Sequence, residues 1–307
     1  MPEAPLVGAV EIGGTKIICL VGSGPHDIRA EARLSTRGPE ESIADILAFF
    51  RQQATALGPL ARLGVASFGP VDLDPDSPRW GHITATPKAG WSDTDLAGVL
   101  TRELGLPVQF DTDVNGAALA EGRWGAARGL ADYVYITVGT GIGGGIVAGG
   151  RLVRGTLHPE IGHMVVPHER EVDPYAGCCP FHGDCLEGLA SGPAIAARWG
   201  APGPELAPDH PAWALEATYL SVLAANLLFL LSPERILFGG GVMERTGLLE
   251  LVRHRTGARL GGYLRPPALR GGLDRVISAP GLGQRVGPLG ALALALYGDG
   301  GDDAPVR

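Results

Sequence analysis

The chain has 307 residues, of which 48 are glycine and 25 proline; 45 % are hydrophobic, 19 % are charged, and the net charge is −8. Surplus glycine without surplus proline excludes a collagen-like or low-complexity chain. The lack of a basic stripe argues against a protein that holds nucleic acid through its phosphates. Such a chain buries a large core, in about two domains by length, and leaves its glycines to turns and ligand loops.

The N-terminus carries Glu3 and no basic region, which predicts no signal peptide. Residues 6–21 read as strand, turn, strand, with glycine at Gly13-Gly14-Thr15 expected to supply the positive φ of a tight turn. A Walker A loop or a Rossmann fingerprint would open a helix there, and Ile17-Ile-Cys-Leu-Val21 is poor helix material. Residues 40–57 show helical spacing through Ile43, Ile46, Leu47 and Phe50, 63–68 a short buried strand, and 95–104 a second helix. A strand at 108–110 delivers Asp111-Thr-Asp-Val-Asn115, and 116–122 is helical. Residues 75–87 and 200–211 are turn-rich excursions.

The strand–turn–strand pattern returns at 133–137, 139–145 and 146–148, which suggests an internal duplication. The longest apolar run, 219–231, is interrupted by Asn226 and falls short of the ~20 residues that span a bilayer. A long helix ends near Ser232-Pro233, and a buried strand at 235–238 leads into Gly239-Gly240-Gly241. Bare backbone N–H groups at such turns can surround phosphates; ordinary hairpins need glycine too. The tail, 299–307, is expected to fray.

Four side chains have metal-ligand spacing: His163, Cys179, His182 and Cys185. Four N/S ligands make a closed, structural zinc site. Cys178 competes with Cys179, and His158 or His168 could substitute. Three crowded cysteines read as metal chemistry in a reducing compartment, hence the cytoplasm, while Cys19 suits a small core residue. Glu160 and Glu187 flank the ligands and suit the recognition of sugar hydroxyls. Asp111 and Asp113 sit between a strand and a helix, where a carboxylate can take a hydroxyl proton or cap the helix. The cap is given to Asp111 or Asn115, and the base to Asp113. Lys16 and Lys88, the two lysines of the chain, both lie in turn-like segments.

Taken in order, Glu11-Ile-Gly-Gly-Thr-Lys16, Asp111-Thr-Asp-Val-Asn115, Thr137-Val-Gly-Thr-Gly-Ile-Gly-Gly-Gly145, Glu160-Ile-Gly-His163, the Cys/His loop and Phe238-Gly-Gly-Gly-Val242 resemble the ROK (repressor, ORF, kinase) family of sugar kinases. Ala66-Ser-Phe-Gly-Pro70, Thr86-Pro-Lys-Ala-Gly-Trp91 and the form of the metal loop look like its bacterial zinc-containing fructokinase branch. Position 11 departs from the family, which mostly has aspartate where this chain has Glu11.

The resemblance implies an α/β, actin-like ATPase (ribonuclease-H-like) fold. Its two α/β domains, with a cleft between them, would cover 1–115, completed by a helix near 288–298, and 116–287. It implies ATP-dependent phosphorylation of the 6-hydroxyl of D-fructose, with Asp113 as base. Gly69, Asn115, Glu160, His163 and Glu187 would hold the sugar. Gly13, Gly14, Thr15, Lys16, Gly139, Thr140, Gly141, Pro193, Gly239, Gly240, Gly241, Val242 and Met243 would hold ATP. Magnesium would fall to Glu11, directly or through water, and zinc to the Cys/His set. A cytoplasmic homodimer that uses neither nucleic acid nor membrane is expected. A glucokinase, a mannokinase or a promiscuous hexokinase stays open. A sugar-responsive repressor is disfavoured by the roughly ten residues before Glu11, because that class carries a helix-turn-helix of several dozen residues there. An inactive sugar-binding protein is disfavoured by Asp113 and the three glycine clusters.

Overall fold

The computed structural model describes residues 5–264, 269 and 272–298; the tail at 299–307 lies outside them. The chain forms two compact units, one drawn from Met1–Gly129, Gly150–His158 and Gln284–Arg307, the other from Leu130–Gly149 and Pro159–Gly283.

In the first unit, β1 (Val7–Ile12) and β2 (Lys16–Gly24) form a hairpin, extended by β3 (Asp27–Ser35). Then come α1 (Pro39–Leu57), β4 (Leu63–Ser67), the short β5 (His82–Ile83) and β6 (Thr94–Asp95), α2 (Leu96–Leu104), β7 (Val108–Thr112), α3 (Asp113–Trp124), the short β10 (Arg151–Leu152) and α8 (Val286–Tyr297). The sheet order is β3-β2-β1-β4-β7. α1 starts where Pro39 presets the first helical turn and buries Ile43, Ile46, Leu47 and Phe50 against the sheet. Cys19 is part of that core, as its apolar strand suggested.

Register decides where this unit can work. β1, β4 and β7 are parallel, with Ile12 opposite Ser67 and Ser67 opposite Thr112. The three strands therefore end level, and Gly13, Phe68-Gly69 and Asp113 all leave the sheet at one edge. The carboxyl ends of parallel strands are where open α/β sheets bind ligands.

The second unit holds β8 (Tyr133–Val138), β9 (Ile142–Ala148), α4 (Leu186–Ala190), α5 (Gly192–Trp199), α6 (Ala212–Leu231), β11 (Arg235–Gly239), α7 (Leu248–Leu260) and β12 (Ile277–Ser278). Its strands run β9-β8-β11-β12, an antiparallel hairpin followed by parallel partners. That is the arrangement of β2-β1-β4-β7, so the same unit of architecture occurs twice.

Several expectations need correction. α3 packs on α8 and stays with the first unit, so the contacts divide the chain beyond the boundary expected at 115/116. β9 begins at Ile142, because Gly143–Gly145 pair with β8 as strand residues and leave a three-residue turn. α6 runs a full 20 residues from Ala212, longer than the apolar run alone suggested, and by length and composition it could cross a membrane. Most of its apolar window is buried in the fold (61 %). Gly13 and Gly14 do not have positive φ. The turn needs no left-handed residue, and what glycine contributes is bare backbone.

Candidate functional site

In the first unit the β1–β2 turn is tied down from outside. The Thr36 hydroxyl donates to the Gly13 carbonyl at 2.7 Å, the Thr36 N–H to Thr15 O at 3.1 Å, and the Lys88 ammonium to the Gly14 carbonyl. One of the two lysines thus braces the turn, while Lys16, the other, opens β2 beside it. Glu11, one residue before the end of β1, is largely buried. Burial pushes its carboxyl above the usual range, and Lys16 and Arg33 pull it back. Its Oε2 has no hydrogen-bond partner among the described residues.

At the end of β7 the two aspartates separate by environment. Asp111 is fully buried. Its Oδ1 accepts from the Thr112 N–H and from the Asn115 amide, each at 2.7 Å, and its Oδ2 accepts from Arg154. The helix cap is neither Asp111 nor Asn115. Thr112 holds that position, its hydroxyl accepting from the Asn115 N–H at 3.1 Å. Asp113 is the first residue of α3 and is half-buried, with Oδ1 accepting its neighbour's N–H at 2.8 Å. Of the two, Asp113 is the carboxylate that solvent can reach. Gly69 leaves β4 at the same edge and lies against His158, whose Nε2 accepts from the Val71 N–H at 3.1 Å.

The second unit gathers the predicted metal ligands. His163 ends a 3-10 turn (Ile161–His163), and the other three lie on the loop before α4. The ligand atoms of His163, Cys179, His182 and Cys185 all lie within 4.8 Å of one another. Sulfur–nitrogen separations are 3.5 Å for Cys185–His163, 3.6 Å for Cys179–His182 and 3.8 Å for Cys179–His163. Metal–ligand bonds of ~2.3 Å to sulfur and ~2.0 Å to nitrogen give tetrahedral S···N edges of about 3.5 Å, so the donor set fits a zinc ion. Cys178 is exposed and outside the cluster.

The two alternative histidines are engaged elsewhere: His158 is buried, and the side chain of His168 is 6 % exposed. His168 spans Asp184 Oδ2 (3.0 Å) and the Asp173 carbonyl (2.9 Å), which pins the residue preceding Cys185. Asp173 also takes two hydrogen bonds from Arg198 and one from the Tyr219 hydroxyl.

Glu187, on α4, reaches the β8–β9 turn: its Oε2 accepts from the Ile142 N–H at 2.8 Å. A Cβ on Gly141 would stand 2.5 Å from that oxygen, so Gly141 is bare because Glu187 lies on it. Burial, and then the charge of Glu187, push the Glu160 carboxyl up to about 7. Gly139, Thr140 and Gly141 form the turn, and the Gly192 N–H, just before Pro193, donates to the Gly139 carbonyl at 2.7 Å. After β11, Gly240 has φ +90°, and a Cβ there would stand 2.4 Å from the Val138 carbonyl oxygen. This brings the Gly239–Gly241 turn, with Val242 and Met243 in the 3-10 turn that follows, against the end of β8. The predicted nucleotide residues of this unit therefore converge. Sequence reasoning missed Arg154, whose partner Asp111 is 43 positions away and leaves no local pattern.

The ROK family model matches residues 7–297. The chain is 42 % identical over 297 residues to a fructokinase of Zymomonas mobilis subsp. mobilis, across 96 % of this chain and 97 % of that protein. It is 37 % identical over 260 residues to a fructokinase of Lactococcus lactis subsp. cremoris, across 85 % and 87 %. A solved ROK family glucokinase from Streptomyces griseus, in complex with glucose and AMPPNP, superposes with a TM-score of 0.73 at 28 % identity, covering 94 % of this chain and 99 % of that one. The chain belongs to the ROK family, and its fold is the actin-like ATPase fold of that family's sugar kinases.

Proposed function

We propose that this protein is a fructokinase that transfers the terminal phosphoryl group of ATP to the 6-hydroxyl of D-fructose. The observation that carries the reading is the contrast at the end of β7. Asp111 is buried and fully engaged, while Asp113 stands half-buried at the edge where three parallel strands end level. Likeness to fructokinases over nearly the whole chain supports the sugar.

Asp113 accepts the proton of the 6-hydroxyl as that oxygen attacks the γ-phosphorus; the bond to the β-phosphate oxygen breaks and ADP leaves. Positioning and charge stabilisation contribute most of the rate in such transfers. Gly69, Asn115, Glu160, His163 and Glu187 orient the sugar. The Gly13-Gly14-Thr15-Lys16 and Gly139-Thr140-Gly141 turns present N–H groups to the phosphates. Pro193 and Gly239 to Met243 line the nucleotide. Glu11 would serve magnesium, which when bound neutralises phosphate charge; its buried Oε2, without a hydrogen-bond partner among the described residues, is what a cation would satisfy. Zinc would fall to His163, Cys179, His182 and Cys185, a set of four protein donors of the kind that holds a structural ion.

The protein works in the cytoplasm as a homodimer, without nucleic acid or membrane. Phe229, Leu230 and Tyr263 are 46 %, 75 % and 83 % exposed, an apolar surface suited to a second copy. Glucose is the second reading, on the likeness to the Streptomyces griseus glucokinase. Phosphorus NMR of the product made from fructose and ATP tests the reaction. A single 6-phosphate ester is expected, and ADP release with no sugar ester would refute it.

A further inference from the structure

Glu11 carries a buried carboxylate oxygen, Oε2, with no hydrogen-bond partner among the described residues, and that carboxylate lies directly on Gly287 in the first turn of α8. A Cβ built on Gly287 would stand 2.1 Å from Glu11 Oε1, 2.4 Å from its Cδ and 2.7 Å from its Oε2. These are the three nearest atoms, and all belong to one side chain. Gly287 lies within α8 and its φ is not positive, so its backbone conformation suits any residue. Glycine inside a helix is normally the poorer choice beside alanine. What stands against a side chain at 287 is Glu11.

We infer that Gly287 is a positioning residue for Glu11: the bare helix turn seats the glutamate carboxylate and fixes where it is presented. The inference rests on the kinase reading, in which Glu11 serves the metal–nucleotide complex. It also explains how position 11 accommodates an acid one methylene longer than aspartate. An added methyl at 287 would meet the far end of a flexible side chain, which swings away at small cost to the fold. The carboxylate would be displaced and the core left intact. Aspartate at position 11, being shorter, would withdraw from the notch and tolerate the methyl.

The test is a double-mutant cycle on the full chain with Gly287→Ala, Glu11→Asp and the pair. The readouts are the Kd of Mn²⁺·ATP by calorimetry and Tm. Gly287→Ala is expected to weaken Mn²⁺·ATP about tenfold with little change in Tm, and the pair to bind within about twofold of Glu11→Asp alone. Gly287→Ala binding within about twofold of the parent would overturn the inference. So would an equal tenfold loss on the aspartate background, because the methyl would then be clashing with something other than Glu11. Should Gly287→Ala fail to fold, restoration by Glu11→Asp supports the seating, and failure to restore contradicts it. A parent chain that binds no Mn²⁺·ATP overturns the kinase reading and the inference together. A different preferred sugar would overturn the fructose assignment alone.

Discussion

Arg154 donates to the buried carboxylate of Asp111, whose other oxygen receives the Asn115 amide at 2.7 Å. Asp111, which accepts on both of its oxygens, fixes which way that amide faces, two residues beyond the proposed base Asp113. Removing one partner of a buried ion pair leaves the other charge uncompensated. The Arg154 side chain is 30 % exposed, so solvent takes part of the load. Arg154→Met is expected to cost about 2 kcal/mol and to lower Tm by about 5 °C, measured by calorimetry. Arg154→Lys, which keeps the charge but not the planar fork, should lose less.

Asp113→Asn keeps the shape of the side chain and removes its basicity. Turnover should fall about 10²- to 10⁴-fold, with fructose and ATP binding largely retained in calorimetric titrations. A kcat near that of the parent would remove Asp113 from the mechanism.

About one zinc per chain is expected by elemental analysis, given four ligands in a closed set. Cys185→Ala should lose the metal and several degrees of Tm. Cys178→Ser should keep both, because Cys178 lies outside the cluster. Full occupancy in Cys185→Ala would show that the ligand set is wrong.

The clustering of Cys179, His182 and Cys185 was legible from spacing, because a short loop can place only near neighbours together; His163 joins them from the 3-10 turn 16 residues before Cys179. The glycine turns were legible for a related reason: β-branched runs on both sides leave a hairpin as the simplest reading. Less was visible where a choice depends on dihedrals or on distant partners. The cap of α3 went to Thr112 rather than to Asp111 or Asn115, since all three types can cap and Asp111 is drawn away by Arg154. Glycines 143 to 145 read equally as turn or strand until β8 pairs with them. The helix start at Ala212 was hidden because Glu216 interrupts the apolar pattern, yet it is buried.

Glu216 also gives a pH dependence. Complete burial raises its carboxyl well above the ordinary value of 4.5, opposed by Arg198. The folded state therefore binds a proton that the unfolded state releases. Its contribution is fully present below pH 4.5 and is lost as pH rises towards the folded value. Glu216→Gln, neutral at every pH, should melt a few degrees above the parent at pH 8, and the gap should close as pH falls towards 4.5. A gap that widens on acidification would reverse the sign of the argument.

The central claim is a kinase acting on fructose, and kcat/KM for fructose, glucose, mannose and N-acetylmannosamine under one set of conditions tests it most directly. The account predicts fructose at least about tenfold ahead of glucose, a difference of about 1.4 kcal/mol in transition-state binding. Glucose turned over tenfold better than fructose, by the same measure, would contradict it.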